Sequence, residues 1–122
     1  MTTRILIIDD ELSLLESIAD LLQLSGYEVA TAEAGPDGLQ QVKDFLPNLI
    51  LCDLMMPGMS GYDVLKALQS DVTTAQLPIV IISAKVDYET AQNSADLGAV
   101  DFLIKPFTFS ELTQAIKRHL VG

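Results

Sequence analysis

Short runs of apolar residues recur along this chain and are separated by longer segments of mixed character. Five such runs cover residues 5–8, 27–31, 49–52, 79–82 and 102–104, and the second is the weakest. A short apolar run without polar interruption is typical of a strand that is buried on both faces of a parallel sheet. The pattern therefore predicts five β-strands.

The segments between these runs carry apolar residues at helical spacing. The predicted inner stripes of the first three helices are Leu15, Ile18 and Leu22, then Leu39, Val42 and Leu46, then Val64, Leu65 and Leu68. Gly26 is a candidate C-terminal cap of the first helix, and Gly35-Pro36 and Pro47 are expected to bound the second.

The last two helices differ in how clearly the pattern defines them. A fourth helix over roughly residues 88–97 is poorly amphipathic, with Ala91, Ala95 and Leu97 as its best apolar residues. The fifth begins with Thr108-Phe-Ser-Glu111, a capping-box pattern. Strands that alternate with helices predict an α/β fold with helices on both faces of a mostly parallel sheet.

Ionisable or hydroxyl groups follow four of the five predicted strands. Asp9 and Asp10 follow the first, Asp53 the third, Ser83 the fourth and Lys105 the fifth. In an open parallel sheet, ligands bind beyond the carboxyl ends of the strands. The sequence therefore predicts that three carboxylates, one hydroxyl and one ammonium group meet at one edge of the sheet.

This set of groups favours a particular chemistry. Three carboxylates without a nearby His or Cys form a hard-oxygen site that suits Mg²⁺, which would also offset their mutual repulsion. A lysine would pair with anionic oxygens and a serine would donate a hydrogen bond. One Asp would remain as a nucleophile, since carboxylates can form aspartyl-phosphate intermediates.

Composition narrows the possible classes of function. The 122 residues, 49% of them hydrophobic, predict one globular domain. Seven basic and 17 acidic residues give a net charge of −10, so this domain is not expected to bind nucleic acid directly. The single cysteine, Cys52, is interpreted as a buried apolar residue, and His119 as exposed and without a chemical role. With no targeting or membrane-spanning segment in the sequence, we expect a cytoplasmic protein.

Four motifs, in order, carry a resemblance to a known family. The segments "IDDE", "DLMMPGMSGYDVL", "ISA" and "KPF" resemble those of the receiver domain of bacterial two-component response regulators, over residues 4–120. The resemblance implies a flavodoxin-like, doubly wound, five-stranded parallel sheet of order 2-1-3-4-5 with five helices. It implies a signalling module that undergoes only Mg²⁺-dependent self-phosphorylation and self-dephosphorylation, rather than an enzyme.

The resemblance also implies roles for the carboxylates. Asp53 would accept a phosphoryl group from a sensor histidine kinase or a His-containing phosphotransfer protein. Mg²⁺, or Mn²⁺ in its place, would be held by Asp10 directly, by Asp9 largely through water, by Asp53, and by the backbone carbonyl of Met55.

Further roles follow from the same resemblance. Lys105 would contact the phosphoryl group, and its bond to Pro106 would be cis. Ser83 would move toward the phosphoryl oxygen, and Phe102 would be the switch aromatic that turns inward. Considered alone, Asp9 could be only a helix N-terminal acid, Ser83 only a turn cap and Phe102 only a core residue.

Two more positions, Met55 and Lys85, are where the family tunes the rate of self-dephosphorylation. Phosphorylation is expected to alter the face formed by helix 4, strand 5 and helix 5. The protein would be a monomer or a weak phosphorylation-dependent dimer, because Ala91 and Ala115 stand where basic residues are common. Residues 1–122 are interpreted as one receiver domain without an output domain, either a stand-alone protein or part of a longer regulator.

Three other functions remain as alternatives. A metal-dependent aspartyl-phosphate phosphatase usually needs a second Asp two residues after the nucleophile, where this chain has Met55. A receiver-like docking module usually lacks one of the site residues, and all of them are present. Flavin binding would need a phosphate loop after the first strand, whereas "DDEL" would repel phosphate.

Overall fold

The fold is a five-stranded parallel sheet covered by helices on both faces. The computed structural model describes residues 2–84 and 87–120. The strands are β1 (Arg4–Ile8), β2 (Glu28–Ala32), β3 (Leu49–Asp53), β4 (Ile79–Ser83) and β5 (Asp101–Ile104). The helices are α1 (Leu12–Leu24), α2 (Gly35–Phe45), α3 (Gly61–Gln69), α4 (Tyr88–Asp96) and α5 (Phe109–His119).

The order of the strands in the sheet is β2-β1-β3-β4-β5, with every neighbouring pair parallel. This confirms the expected fold class and strand order. The order reverses between β1 and β3, because the chain returns past β1 after forming β2. The carboxyl ends of β1 and β3 therefore flank the crevice where ligands bind in open α/β sheets.

Alternation along the strands divides the core into two layers. In β1, Ile5 and Ile7 pack in the layer beneath α1 and α5, whereas Leu6 and Ile8 pack in the layer beneath α2 and α3. All four side chains are fully buried. A two-residue period with both faces apolar explains why β1 appears as a continuous apolar run in the sequence.

The predicted strands are confirmed to within one residue at each end. The second helix differs from its prediction, because α2 ends at Phe45 and Leu46 adopts a left-handed conformation with φ 54°. Leu46 is consequently 64% exposed and leaves the inner stripe that its spacing predicted. Pro47 follows directly and disfavours an α conformation at the preceding residue.

Helix α4 buries a different face from the one the sequence predicted. Its buried side chains are Thr90 and Ser94, whereas Ala95 is exposed and Ala91 is half-buried. The Ser94 hydroxyl donates to the Thr90 carbonyl oxygen at 2.9 Å. This bond satisfies a buried hydroxyl within the helix, so two small polar residues can face the sheet. The resulting interface contains little apolar side-chain volume.

The fifth helix begins as its sequence predicts. The Thr108 side chain accepts from the Glu111 amide, and the Glu111 side chain accepts from the Thr108 amide, which forms a complete capping box. None of the helices in the described ranges, 2–84 and 87–120, is long and apolar enough to cross a lipid bilayer.

Candidate functional site

Acidic and basic side chains meet where three strands end. Asp9 follows β1, Asp53 is the last residue of β3, and Lys105 follows β5. The Lys105 Nζ atom lies 2.9 Å from Asp9 Oδ2 and 3.5 Å from Asp53 Oδ1. The edge of the sheet thus brings together groups that are far apart in the sequence, as the strand ends predicted.

Backbone contacts hold the Asp9 carboxylate in place. The Asp9 amide donates to the Ala32 carbonyl oxygen at 3.0 Å, which continues the ladder between β1 and β2. Asp9 Oδ1 accepts from the Glu11 amide at 2.9 Å, just before α1 begins. The side chain is fully buried. Both carboxylate oxygens therefore have partners, one at the helix entrance and the other on Lys105.

Three carboxylates form a group that fits a divalent cation. Ligand oxygens of Asp9, Asp10 and Asp53 all lie within 4.8 Å of one another. Asp9 and Asp53 are buried, whereas Asp10 is exposed and leaves one side open to solvent. Mg²⁺ takes one or two carboxylates and keeps several waters, so hard oxygen donors beside an open side suit this ion.

The electrostatics of the site reflect this crowding. Burial, followed by the nearby charge of Asp9, raises the pKa of Asp53 to about 6, although Lys105 opposes this shift. Burial alone would lower the pKa of Lys105, but the hydrogen bond and charge of Asp9, together with Asp53, raise it above its usual value. Lys105 therefore remains protonated and holds the two buried acids together.

Ser83 lies at the same edge of the sheet, and Phe102 lies further back in β5, opposite Ile81. Ser83 is buried at the end of β4, and its carbonyl oxygen accepts from the Lys105 amide at 2.8 Å. The peptide bond between Lys105 and Pro106 is cis. Phe102 is half-buried and packs against the layer beneath α2 and α3. Ser83 is therefore connected to the site through its backbone bond to Lys105.

For the other positions that the sequence singled out, the structure shows no side-chain hydrogen bond or ion pair with the acidic side chains in the described residues. The Met55 residue is 63% exposed, two residues after Asp53. Lys85, the other predicted rate-tuning position, lies outside the described residues. Cys52 is fully buried, and burial raises the pKa of its thiol, which agrees with its interpretation as a small apolar residue.

The sequence did not reveal several contacts. Glu11 Oε2 lies 3.8 Å from Lys105 Nζ, so a fourth acid borders the site. The expectation that His119 is exposed is wrong, because its side chain is only 20% exposed and its Nε2 lies 2.9 Å from Asp101 Oδ2. Arg118 Nη1 reaches the same oxygen at 2.6 Å. Residues this distant in the chain give no local signal of such a contact.

Gly61 packs closely against the backbone of β3, a contact that the sequence did not indicate. In the turn before α3, the residue with a left-handed conformation is Gly58, with φ 78°. At Gly61 the cause is close packing, because a Cβ atom would lie 2.6 Å from the Asp53 carbonyl oxygen.

A cavity is present at some distance from the acidic side chains. It measures about 440 Å³ between α2 and α3, and its lining includes Leu46, Leu68 and Leu77. These residues lie near the amino ends of β3 and β4, so the cavity is not part of the acidic site.

Comparison with known proteins identifies relatives over nearly the whole chain. The sequence profile of the response regulator receiver domain matches residues 5–117. The DNA-binding response regulator MtrA of Mycobacterium tuberculosis is 37% identical over 120 residues, covering 98% of this chain and 51% of MtrA. The phosphate regulon transcriptional regulatory protein PhoB of Pseudomonas aeruginosa is 37% identical, covering 93% of this chain and 49% of PhoB.

Solved structures show the same architecture. The chemotaxis protein CheY4 of Vibrio cholerae superposes with a TM-score of 0.94 at 29% identity, over 98% of this chain and 100% of that one. A putative response regulator from Chloroflexus aurantiacus superposes with a TM-score of 0.91 at 34% identity, over 97% of each chain. The chain spans about half the length of the curated relatives it matches.

Proposed function

The chain belongs to the response regulator receiver domain family, and on that premise we propose that it is a phosphorylation-activated signalling module with Asp53 as its acceptor. One observation carries this proposal. The carboxylates of Asp9, Asp10 and Asp53 lie within 4.8 Å of one another, and the Lys105 ammonium group contacts both buried acids. Lys105, together with a divalent cation held by these carboxylates, would neutralise the charge of an incoming phosphoryl group.

In the proposed transfer, a carboxylate oxygen of Asp53 attacks the phosphorus of a phosphohistidine on the donor protein. An oxygen–phosphorus bond forms, the nitrogen–phosphorus bond breaks, and the electron pair returns to the histidine ring. Asp53 reacts as the anion, which is the majority form at neutral pH because its pKa is about 6. Phosphoryl transfer depends mainly on positioning and charge neutralisation, and Lys105 supplies a fixed positive charge.

A divalent cation is part of this proposal. Asp10, Asp9 and Asp53 would hold it together with the Met55 backbone carbonyl, as Mg²⁺ or alternatively Mn²⁺. When bound, the cation supplies positive charge for phosphoryl oxygens and offsets the repulsion among the acids. Asp9 is already fixed by the Glu11 amide and by Lys105, so its orientation does not depend on the cation.

The proposed partner is a sensor histidine kinase or a His-containing phosphotransfer protein in the cytoplasm. The relatives are response regulators, which are signalling proteins rather than enzymes in the usual sense, and two of them are named as a DNA-binding and a transcriptional regulator. We propose that this receiver likewise controls an output domain or a separate protein. With a net charge of −10, the receiver itself is not proposed to contact nucleic acid.

The proposed output surface is formed by α4, β5 and α5. Helix α4 buries mainly Thr90 and Ser94, so little apolar area opposes its movement. A cavity of about 120 Å³ between α4 and β5 is lined in part by Ser94 and Phe102. Movement of Ser83 toward the phosphoryl group would let the Phe102 ring turn inward and change this surface.

Incubation with a small phosphodonor and Mg²⁺ tests the proposed acceptor. The wild-type protein is expected to gain the mass of one phosphoryl group, and Asp53→Asn is expected to gain none. Beryllofluoride, which mimics the phosphoryl group, should alter hydrogen exchange in α4 and β5 of the wild type only. Equal labelling of both proteins would refute the assignment.

A further inference from the structure

Helix α3 begins in direct contact with the backbone of the proposed acceptor. A Cβ atom at Gly61 would lie 2.6 Å from the Asp53 carbonyl oxygen and 2.8 Å from the Leu54 Cα atom. Both neighbours are backbone atoms, so no side-chain rotation can relieve the contact. Gly61 therefore allows the start of α3 to lie against the peptide group that joins Asp53 to Leu54.

The start of α3 is held in this position from its own side. Ser60 and Asp63 form a complete capping box, in which the Ser60 amide donates to Asp63 Oδ2 at 2.9 Å. The Gly61 amide donates to the Leu54 carbonyl oxygen at 2.9 Å. Movement of the helix away from the strand would break the bond between Gly61 and Leu54, whereas the capping box keeps the first turn of α3 intact.

The acceptor strand is also held by the neighbouring strand β4. The Leu54 amide donates to the Ile82 carbonyl oxygen at 3.1 Å, which extends the pairing of β3 with β4 past Asp53. The peptide group between Asp53 and Leu54 is thus fixed between β4 and α3, and its position sets where the Asp53 carboxylate lies relative to Lys105.

We propose that Gly61 is a positioning residue that sets the place of the Asp53 carboxylate through the backbone. The inference rests on the proposed function and extends it to a residue that contacts neither the cation nor the phosphoryl group. Any side chain at position 61 pushes the Asp53–Leu54 peptide group away from the start of α3. Moving a Cβ from 2.6 Å to 3.0 Å, a distance that real Cβ atoms essentially never go below, requires a displacement of about 0.4 Å.

A displacement of this size matters for a site made of three strand ends. Productive geometry generally has to be held within about 0.5 Å. The Asp53 carboxylate is aligned with Lys105 at 3.5 Å and with Asp9 and Asp10 within 4.8 Å, so a shift of the peptide group alters all of these separations.

Gly61→Ala tests the inference, with Gly26→Ala as the matched control. Gly26 has φ 97° and open space around a Cβ, and it lies between α1 and β2, at the other end of the sheet from Asp53. An alanine there costs folding stability without touching the site. Three quantities are measured for each protein: the urea midpoint of unfolding, the Mg²⁺ concentration that gives half of the maximal thermal shift, and the phosphorylation rate at saturating Mg²⁺.

Gly61→Ala is expected to slow phosphorylation by about 10-fold at saturating Mg²⁺ and to weaken Mg²⁺ binding. Gly26→Ala should lower the urea midpoint while both site measurements stay within about twofold of wild type. Wild-type rate and Mg²⁺ affinity in Gly61→Ala would overturn the inference. Equal losses in the two variants would also overturn it, because they would reflect stability alone.

Two further comparisons separate a loss of positioning from a failure to fold and from a failure of the proposed function. If Gly61→Ala does not fold in buffer, all three proteins are compared in trimethylamine N-oxide, which favours the folded state. A refolded Gly61→Ala with wild-type site measurements would refute the positioning role. If even the wild type is not phosphorylated, the proposed function fails, and the Mg²⁺ titration still decides whether Gly61 positions the carboxylate.

Discussion

The Lys105 ammonium group lies 2.9 Å from a carboxylate oxygen of Asp9, although the two residues are 96 positions apart in the sequence. Asp9 is fully buried, and the Lys105 side chain is only 16% exposed. Like charges at the end of β1 would destabilise the fold, and this pair offsets part of that cost before any cation binds. The same lysine is therefore a structural partner of Asp9 and the proposed contact of the phosphoryl group.

Removing this cation is expected to destabilise the metal-free protein. Lys105→Met leaves the buried Asp9 carboxylate without an opposite charge, so the free energy of unfolding should fall by about 2–4 kcal/mol. Urea unfolding without Mg²⁺ measures this change. The matched control is Arg4→Gln, which breaks the exposed pair with Glu28 and should cost about 0–1 kcal/mol. Equal effects in the two variants would contradict a structural role for Lys105.

Mg²⁺ is expected to stabilise the fold through the three carboxylates. Well above its Kd, the cation should add about 1–3 kcal/mol to the free energy of unfolding. Asp10→Asn should raise the metal-free stability by about 1 kcal/mol, because it removes one repelling charge, and should abolish the Mg²⁺ response. Asp20→Asn, an exposed position on α1, is the control and should keep that response. An unchanged thermal shift with Mg²⁺ in Asp10→Asn would count against this site.

The raised pKa of Asp53 predicts a pH dependence of stability. The folded protein holds the Asp53 proton up to about pH 6, whereas the unfolded chain releases it near 3.8. The stability that the folded protein gains from holding this proton is therefore fully present below the unfolded pKa. It is lost as the pH rises through about 6. Between pH 5 and pH 8, without Mg²⁺, wild type should lose about 1–2 kcal/mol more than Asp53→Asn. Parallel stability curves for the two proteins would show that Asp53 does not titrate in this range.

The proposed phosphorylated state is expected to decay slowly for a receiver. Met55 is apolar and Lys85 is cationic, so neither side chain can orient an attacking water as a carboxylate or amide would. Met55→Asn combined with Lys85→Glu should speed phosphate release by about 10-fold, which corresponds to about 1.4 kcal/mol of barrier. Met55→Leu is the control and should decay at the wild-type rate. Loss of label from wild type within seconds, or slower loss from the double variant, would be inconsistent with this explanation.

The sequence predicted the sheet well because β1, β3 and β4 are continuous apolar runs with buried side chains on both faces. The continuous run in β1 and the acids that follow it have one physical cause, a buried strand that ends at a ligand crevice. The convergence of Asp9, Asp53 and Lys105 follows from parallel strands whose carboxyl ends share one edge. The meeting of these groups at one edge could therefore be predicted from the sequence alone.

Features that depend on tertiary packing could not be predicted in the same way. Helical spacing placed Leu46 in the core, but the chain leaves α2 one residue earlier. In α4, apolarity favoured Ala91 and Ala95, whereas Thr90 and Ser94 face the sheet because a bond within the helix satisfies the serine hydroxyl. The packing of Gly61 against the Asp53 peptide group depends on how α3 approaches β3, which no local pattern encodes.

The most direct test of the central claim is to locate the phosphoryl group in the chain. The protein is phosphorylated with a small donor and Mg²⁺, treated with borohydride to reduce the acyl phosphate to homoserine, and mapped by peptide mass spectrometry. The predicted result is homoserine at position 53 alone. Homoserine at Asp9, Asp10 or any other acid, or incorporated phosphate with no reduced residue at position 53, would contradict the account.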